Sequence, residues 1–133
     1  MNAYQRTAPS GPDALKQTQL AEPKPAAGQV LVRVRATSLN YRDLMVASGR
    51  YGPGVPLPLI PLSDGAGEIA AVGDGVIRWK VGDRVVHTGW GVGENRWGCL
   101  AERARLQGDW LVGLPQAFTT RQAMAIGTAG YTA

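Results

Sequence analysis

The sequence is poor in the residues that most often carry chemistry: one cysteine (Cys99), one histidine (His87) and one phenylalanine in 133 residues. A single cysteine excludes an internal disulfide and fits a reducing compartment. Cys99 and His87 alone cannot supply the three or four ligands of a zinc site, so packing and a strand-end polar contact are the favoured readings. No apolar run approaches a membrane span, and the N-terminus lacks the basic-then-apolar pattern of a leader. A cytoplasmic protein with no membrane partner is expected. Runs of like charge are also missing. The 14 basic and 10 acidic residues, net +4, are scattered, which describes solvated faces rather than a nucleic-acid surface. There is no internal repeat and no low-complexity tract.

Glycine and proline are plentiful, with 18 and 9 copies, and most fall between short apolar stretches. Gly28 marks a turn before the clearest strand, Gln29 to Ala36. There Val30, Val32, Val34 and Ala36 alternate with Leu31, Arg33 and Arg35, the period of a sheet with one wet face. Asn40 to Ser48 reads as a short helix stopped by Gly49. Pro53, Pro56, Pro58 and Pro61 hold an irregular extended segment. Glu68 to Val72, Arg84 to His87 and Asp109 to Leu114 read as further strands, with Gly73-Asp74-Gly75 and Val81-Gly82-Asp83 as turns. Thr119 and Gln122 form a reciprocal capping pattern that opens a last helix, whose apolar residues Ala123, Met124 and Ile126 find no later partner segment. The pattern predicts one domain of about this length, mainly β, a small barrel or sandwich with short helices.

Five motifs occur in order: Gly28 to Val34, Ser38 to Asp43, Gly65 to Glu68, Val72 to Val76 and Val81 to Val85. In this order they resemble the GroES-like catalytic domain of the medium-chain dehydrogenase/reductase superfamily. The resemblance implies a partly open β-barrel over residues 1–118 carrying the substrate side, and in 119–133 the start of a helix connecting to a Rossmann domain. The Gly-x-Gly-x-x-Gly fingerprint of that second domain is absent, since Gly73-Asp74-Gly75 has no glycine three residues on. Zinc-dependent members carry a cysteine where this chain has Asn40, and a Gly-His-Glu where it has Ser63-Asp64-Gly65. The zinc-free branches, quinone oxidoreductases and enoyl-type reductases, are the ones it resembles. Thr88 to Gly98, with Leu100 to Glu102, Gly108 to Val112 and Gly127 to Ala133, resembles the acryloyl-CoA reductase branch. Up to about Val85 the chain is more like generic zinc-free members, as expected of a natural mosaic or a recombined chimera.

The resemblance implies an NADPH-dependent, metal-free reduction of an activated C=C bond or a quinone. The acid that completes it would be Tyr41, whose phenol donates while neutral; a half-buried packing aromatic is the alternative. Asn40 is assigned to the nicotinamide ribose or the substrate carbonyl, or else to a helix cap. Thr128 is the residue expected against the nicotinamide. Trp90 and Trp97 either wall a substrate pocket or plug one end of the barrel. Arg96 meets a phosphate of an acyl-CoA or is simply solvated. Asp64 is expected to be structural. The isolated chain is expected to bind no cofactor tightly and to be inactive, because the nucleotide half is absent from these residues. Two rivals remain from other classes: a recombined domain without activity, and a co-chaperonin-like assembly module of the same fold.

Overall fold

The computed structural model describes residues 1–52 and 54–133; Pro53, one of the four prolines expected to hold the chain extended, lies outside the described residues. An N-terminal hairpin is formed by β1 (Asn2–Arg6) and β2 (Leu15–Gln19). The main sheet holds β3 (Gln29–Ser38), β4 (Asp64–Val72), β5 (Arg84–His87), β6 (Arg103–Gln107) and β7 (Val112–Gly113). All its pairings are antiparallel, in the order β6-β3-β4-β5-β7. The fold is thus mainly β, and its sheets stay open: β6 and β7 are edges that do not close on each other. Bridges from Ala3 to Ala101 and from Arg6 to Leu59 fasten the hairpin to the rest.

The strand expected from Gln29 to Ala36 runs two residues further, and its wet face starts only at Arg33, because Leu31 is buried beside Val30 and Val32. The strand expected at Glu68 to Val72 begins earlier, at Asp64, where small residues let β3 and β5 approach on both sides. Asp109 to Leu114 is corrected. Gly108–Trp110 is a 3-10 turn, and only Val112–Gly113 pairs as a strand. The hairpin and β6 carried too few β-branched residues to be seen in the sequence.

Between β3 and β4 sits α1 (Tyr41–Ala47), with Asn40 as its N-cap and Gly49 at φ 71 just past its end. Asp43 closes the first turn by accepting from the Asn40 backbone N–H at 2.8 Å. The last helix, α2 (Thr120–Thr132), is capped by Thr119, whose hydroxyl accepts from the Gln122 N–H at 3.1 Å. Its partners lie earlier in the chain: Ala123 and Met124 bury against Ala36, Ala66 and Val86 of the main sheet and against Leu114 just after β7, while Ile126 stays exposed. A second, larger core gathers Val30, Val32, Ile69, Val85, Leu106 and Leu111, each side chain contributing about 1.5–3 kcal/mol through burial. No helix among the described residues is long and apolar enough to cross a membrane.

Candidate active site

The chemical centre of the molecule is a residue expected to be merely structural. Asp64, the first residue of β4, is fully buried, and its carboxylate accepts five hydrogen bonds. Oδ2 takes the Thr128 backbone N–H at 2.7 Å, Asn40 Nδ2 at 3.1 Å and the Ser38 hydroxyl at 3.1 Å. Oδ1 takes the Thr128 hydroxyl at 2.7 Å and the Ser63 hydroxyl at 3.1 Å. Burial pushes this carboxyl up, but the bonds from Thr128, then Asn40 and Ser63, outweigh it and hold the group below the ordinary carboxylate value. Asp64 is therefore ionised and saturated with donors.

Ser63 adjoins Asp64 in the chain, and three other elements deliver the remaining four donors. Asn40 comes from the start of α1, Ser38 from the end of β3, and Thr128 from α2. Thr128 reaches Asp64 because α2 is broken at Gly127, whose φ of 42° and ψ of −151° are not helical. A straight helix would keep the Thr128 N–H for its own ladder. Asn40 Nδ2 thus donates to Asp64, its side chain also faces the Asp43 N–H in the capping box, and its backbone N–H goes to the Asp43 carboxylate.

Tyr41 stands beside this cluster at the first position of α1, 77% exposed, and among the described residues its phenol has no hydrogen-bond partner. Its neighbour Arg42 pairs with Glu94 and so ties the glycine-rich loop to α1. That loop, residues 88–98, is pinned from inside by buried Val92. Trp90 in it has φ 57°, an uncommon backbone for a bulky residue and a sign of local constraint. Its indole stacks on Trp110 at 5.7 Å and 5°. The Arg96 guanidinium lies over the same Trp110, 5.3 Å from the ring centre. Trp97 donates to the Pro58 carbonyl at 3.0 Å. Arg96, Trp97 and Trp110 line a cavity of about 510 Å³, with Arg103 and Arg105 on its β6 side. Asn40 and Thr128 thus meet on Asp64, whereas Arg96 and Trp97 belong to this separate cavity, and Tyr41 lines neither.

His87 and Cys99 lie behind Asp64. His87 Nδ1 is 2.9 Å from the Ser63 carbonyl, which can only accept, so Nδ1 carries the proton and Nε2 is left buried without a partner. Burial holds the imidazole below its ordinary value of 6.5, so it is neutral. A group that binds its proton less readily when folded adds stability above its unfolded pKa and loses it as the pH falls below that value. The urea midpoint should therefore drop as the pH falls below about 6.5, and His87→Leu should flatten that slope. A slope unchanged in the variant would assign it to another group. Cys99 is buried against Gly65, and burial pushes its thiol up to about 12, which keeps it protonated. Among the described residues no three His, Cys, Asp or Glu side chains are placed to hold a metal ion.

The roles of Asp64 and Trp110 were not read from the sequence. A signal for Asp64 was present, since an acidic residue inside Ile60-Pro61-Leu62-Ser63-Asp64-Gly65-Ala66-Gly67 has to bury its charge and so needs donors. Trp110 gave none, because its role depends on a loop distant in sequence.

Residues 26–116 match the alcohol dehydrogenase GroES-like domain. The chain belongs to that family. It is 47% identical over 114 residues to a probable acrylyl-CoA reductase of Escherichia coli, covering 86% of this chain and 35% of that protein. Against the acrylyl-CoA reductase of Ruegeria pomeroyi it is 44% identical over 124 residues, covering 90% of this chain and 35% of the relative. Among solved structures, an oxidoreductase from Salmonella enterica in complex with NADP superposes with a TM-score of 0.87 at 44% identity, over 99% of this chain and 40% of that one. The Escherichia coli quinone oxidoreductase complexed with NADPH superposes with a TM-score of 0.88 at 28% identity, over 99% and 39%. The chain thus spans about a third of the curated relatives' length.

Proposed function

We propose that this chain is the substrate-side domain of an NADPH-dependent oxidoreductase that reduces a C=C bond conjugated to a thioester or ketone, or a quinone, without a metal. The observation that carries this reading is the convergence of Asn40 and Thr128 on one buried carboxylate, in a fold shared with relatives whose structures hold NADP or NADPH. Residues 1–118 would form the substrate side and residues 119–133 would lead to a Rossmann domain. Such a domain would supply the phosphate-binding glycines that these residues lack.

The donor set fits a reduced nicotinamide. Asn40 and Thr128 are half-buried and polar, and neither carries a charge that would oppose a neutral dihydropyridine. When bound, that group supplies the hydride for the β-carbon. The chain's residues would do the rest. Tyr41, next to Asn40 and unpaired among the described residues, would donate a proton to the α-carbon. Its exposure in the isolated domain leaves the phenol free for substrate. Trp97 and Arg96, in the cavity apart from Asp64, would serve a distal part of the substrate, the indole as an apolar wall and the guanidinium as a contact for a phosphate, with Trp90 holding Trp110 beside them.

Tyr41→Phe in a two-domain form should lower kcat about a hundredfold while the NADPH Kd changes less than about twofold. Steady-state kinetics with acrylyl-CoA, paired with NADPH fluorescence titration, checks both numbers. Unchanged kcat would remove the phenol from the chemistry.

A further inference from the structure

We propose that the Arg42–Glu94 ion pair is a specificity determinant: it ties the loop of residues 88–98 to α1, so that the place for a substrate's phosphate-bearing tail keeps a fixed separation from Tyr41. This rests on the oxidoreductase reading and adds to it a preference for long, phosphorylated substrates over short ones.

Both ends of this link are built into short, closed turns. Arg42 follows Tyr41 in the first turn of α1, which the Asn40–Asp43 capping box closes. Glu94 sits in a turn wound around one carbonyl, since Gly91 O accepts from the N–H groups of Glu94, Asn95 and Arg96 at 3.1, 2.9 and 3.2 Å. The Gly93 N–H returns to the Arg96 carbonyl at 2.8 Å, so Glu94 and Arg96 move together. Arg96 and Trp97 line the cavity assigned to the distal part of the substrate. The rest of the loop is fastened elsewhere. Val92 belongs to the main core, and Gly93 and Gly98 lie against the backbone of Pro61 and Leu62. Among the described residues the ion pair is the only hydrogen-bonded contact between the loop and α1. Its side chains are only 26% and 14% exposed, so water and salt screen it less than an ordinary surface bridge. A fixed separation lowers the ordering cost of a ligand that makes both contacts in one pose. A short substrate meets the α1 end alone and gains nothing from it.

The test compares acrylyl-CoA with the acrylyl thioester of N-acetylcysteamine, which has the same reacting group and lacks the phosphates. The two-domain wild type should prefer acrylyl-CoA by about a hundredfold in kcat/KM. Glu94→Gln, Arg42→Met and the double variant should each narrow that preference about tenfold, with the short thioester reduced nearly as well as by the wild type. Because the two side chains act as one contact, the double variant should lose no more than either single one. It also leaves no half-buried charge unpaired, so it decides the matter if a single variant fails to fold. Binding is read separately, by calorimetric titration of propionyl-CoA without NADPH, whose Kd should rise about tenfold in the same variants. Equal losses on both thioesters would reduce the pair to a structural role and overturn the inference. So would additive effects of the two substitutions, an unchanged propionyl-CoA Kd, or a wild type without preference for acrylyl-CoA. A two-domain wild type that reduces neither thioester would overturn the functional reading instead, and the propionyl-CoA titration would still decide whether the pair serves tail binding.

Discussion

Replacing Gly67 with alanine is expected to unfold most of the domain. Gly67 lies in the middle of β4, opposite Val34, where the β3–β4 ladder is irregular between Val34 and Ala36. A Cβ at this position would stand 1.9 Å from the Arg33 carbonyl oxygen and 2.9 Å from its carbon. Backbone of a neighbouring strand cannot swing aside as a long side chain can, so β3 and β4 would have to separate. These two strands are the centre of the sheet, with β6 on one flank and β5 on the other. Overpacking of this kind, against backbone, belongs to the exceptional class of substitutions costing about 4 kcal/mol or more. Total stability of a domain this size is about 5–15 kcal/mol. Thermal unfolding followed by circular dichroism should show a midpoint lowered by about 15 °C or more, or no cooperative transition at all. A native-like midpoint would mean that the two strands do not approach as described.

Replacing Gly127 with alanine should spare the sheet and damage the site. The residue has a positive φ, which costs a side-chain-bearing residue about 1–2 kcal/mol. Its Cβ would also press on Asp64 Oδ2 at 2.6 Å and Ser38 Oγ at 3.2 Å. The cheaper response is for α2 to continue straight through the kink, withdrawing Thr128 and leaving Asp64 without two of its five donors. A buried carboxylate short of donors is costly, so about 2–4 kcal/mol of stability should be lost. Its pKa should rise toward the ordinary range as well. In the wild type, the stability contributed by this depressed carboxyl is present above the ordinary carboxylate pKa and is lost as the pH falls through the folded value. With that shift diminished, the variant, less stable at neutral pH, should lose less further stability than the wild type as the pH falls through the acid range, which urea titrations will show. Identical acid profiles in the two proteins would mean that Thr128 does not hold the carboxyl down.

The parts of this structure that were legible in the sequence are those with local causes. The strand that starts at Gln29, the Asn40 helix start, the Arg84 to His87 strand and the Thr119–Gln122 cap depend on neighbours within a few residues, and each stands where expected. The hairpin at the N-terminus and β6 were hidden because their residues, such as Gln5, Lys16, Arg103 and Arg105, are polar and gain strand structure only from pairing. The partners of α2 were hidden because its contacts with Ala66 and Ala36 join segments far apart in sequence.

The site shows the same division. Asn40 and Thr128 could be singled out one at a time, but what joins them is Asp64, and no periodicity marks a residue that works through three elements at once. Trp90 and Arg96 were noticed as parts of an unusual loop. The surface that orders them, Trp110, belongs to a turn mistaken for a strand.

The measurement bearing most directly on the proposed function is NADPH oxidation with acrylyl-CoA, after dialysis against a chelator. It should be run in parallel on the 133-residue chain and on the same chain joined to a dinucleotide-binding domain of its relatives. The expected result is no turnover by the chain alone and chelator-resistant turnover by the two-domain protein. A two-domain protein that oxidises NADPH with neither acrylyl-CoA nor a quinone, or one whose turnover vanishes with the chelator and returns with zinc, would contradict a metal-free reductase.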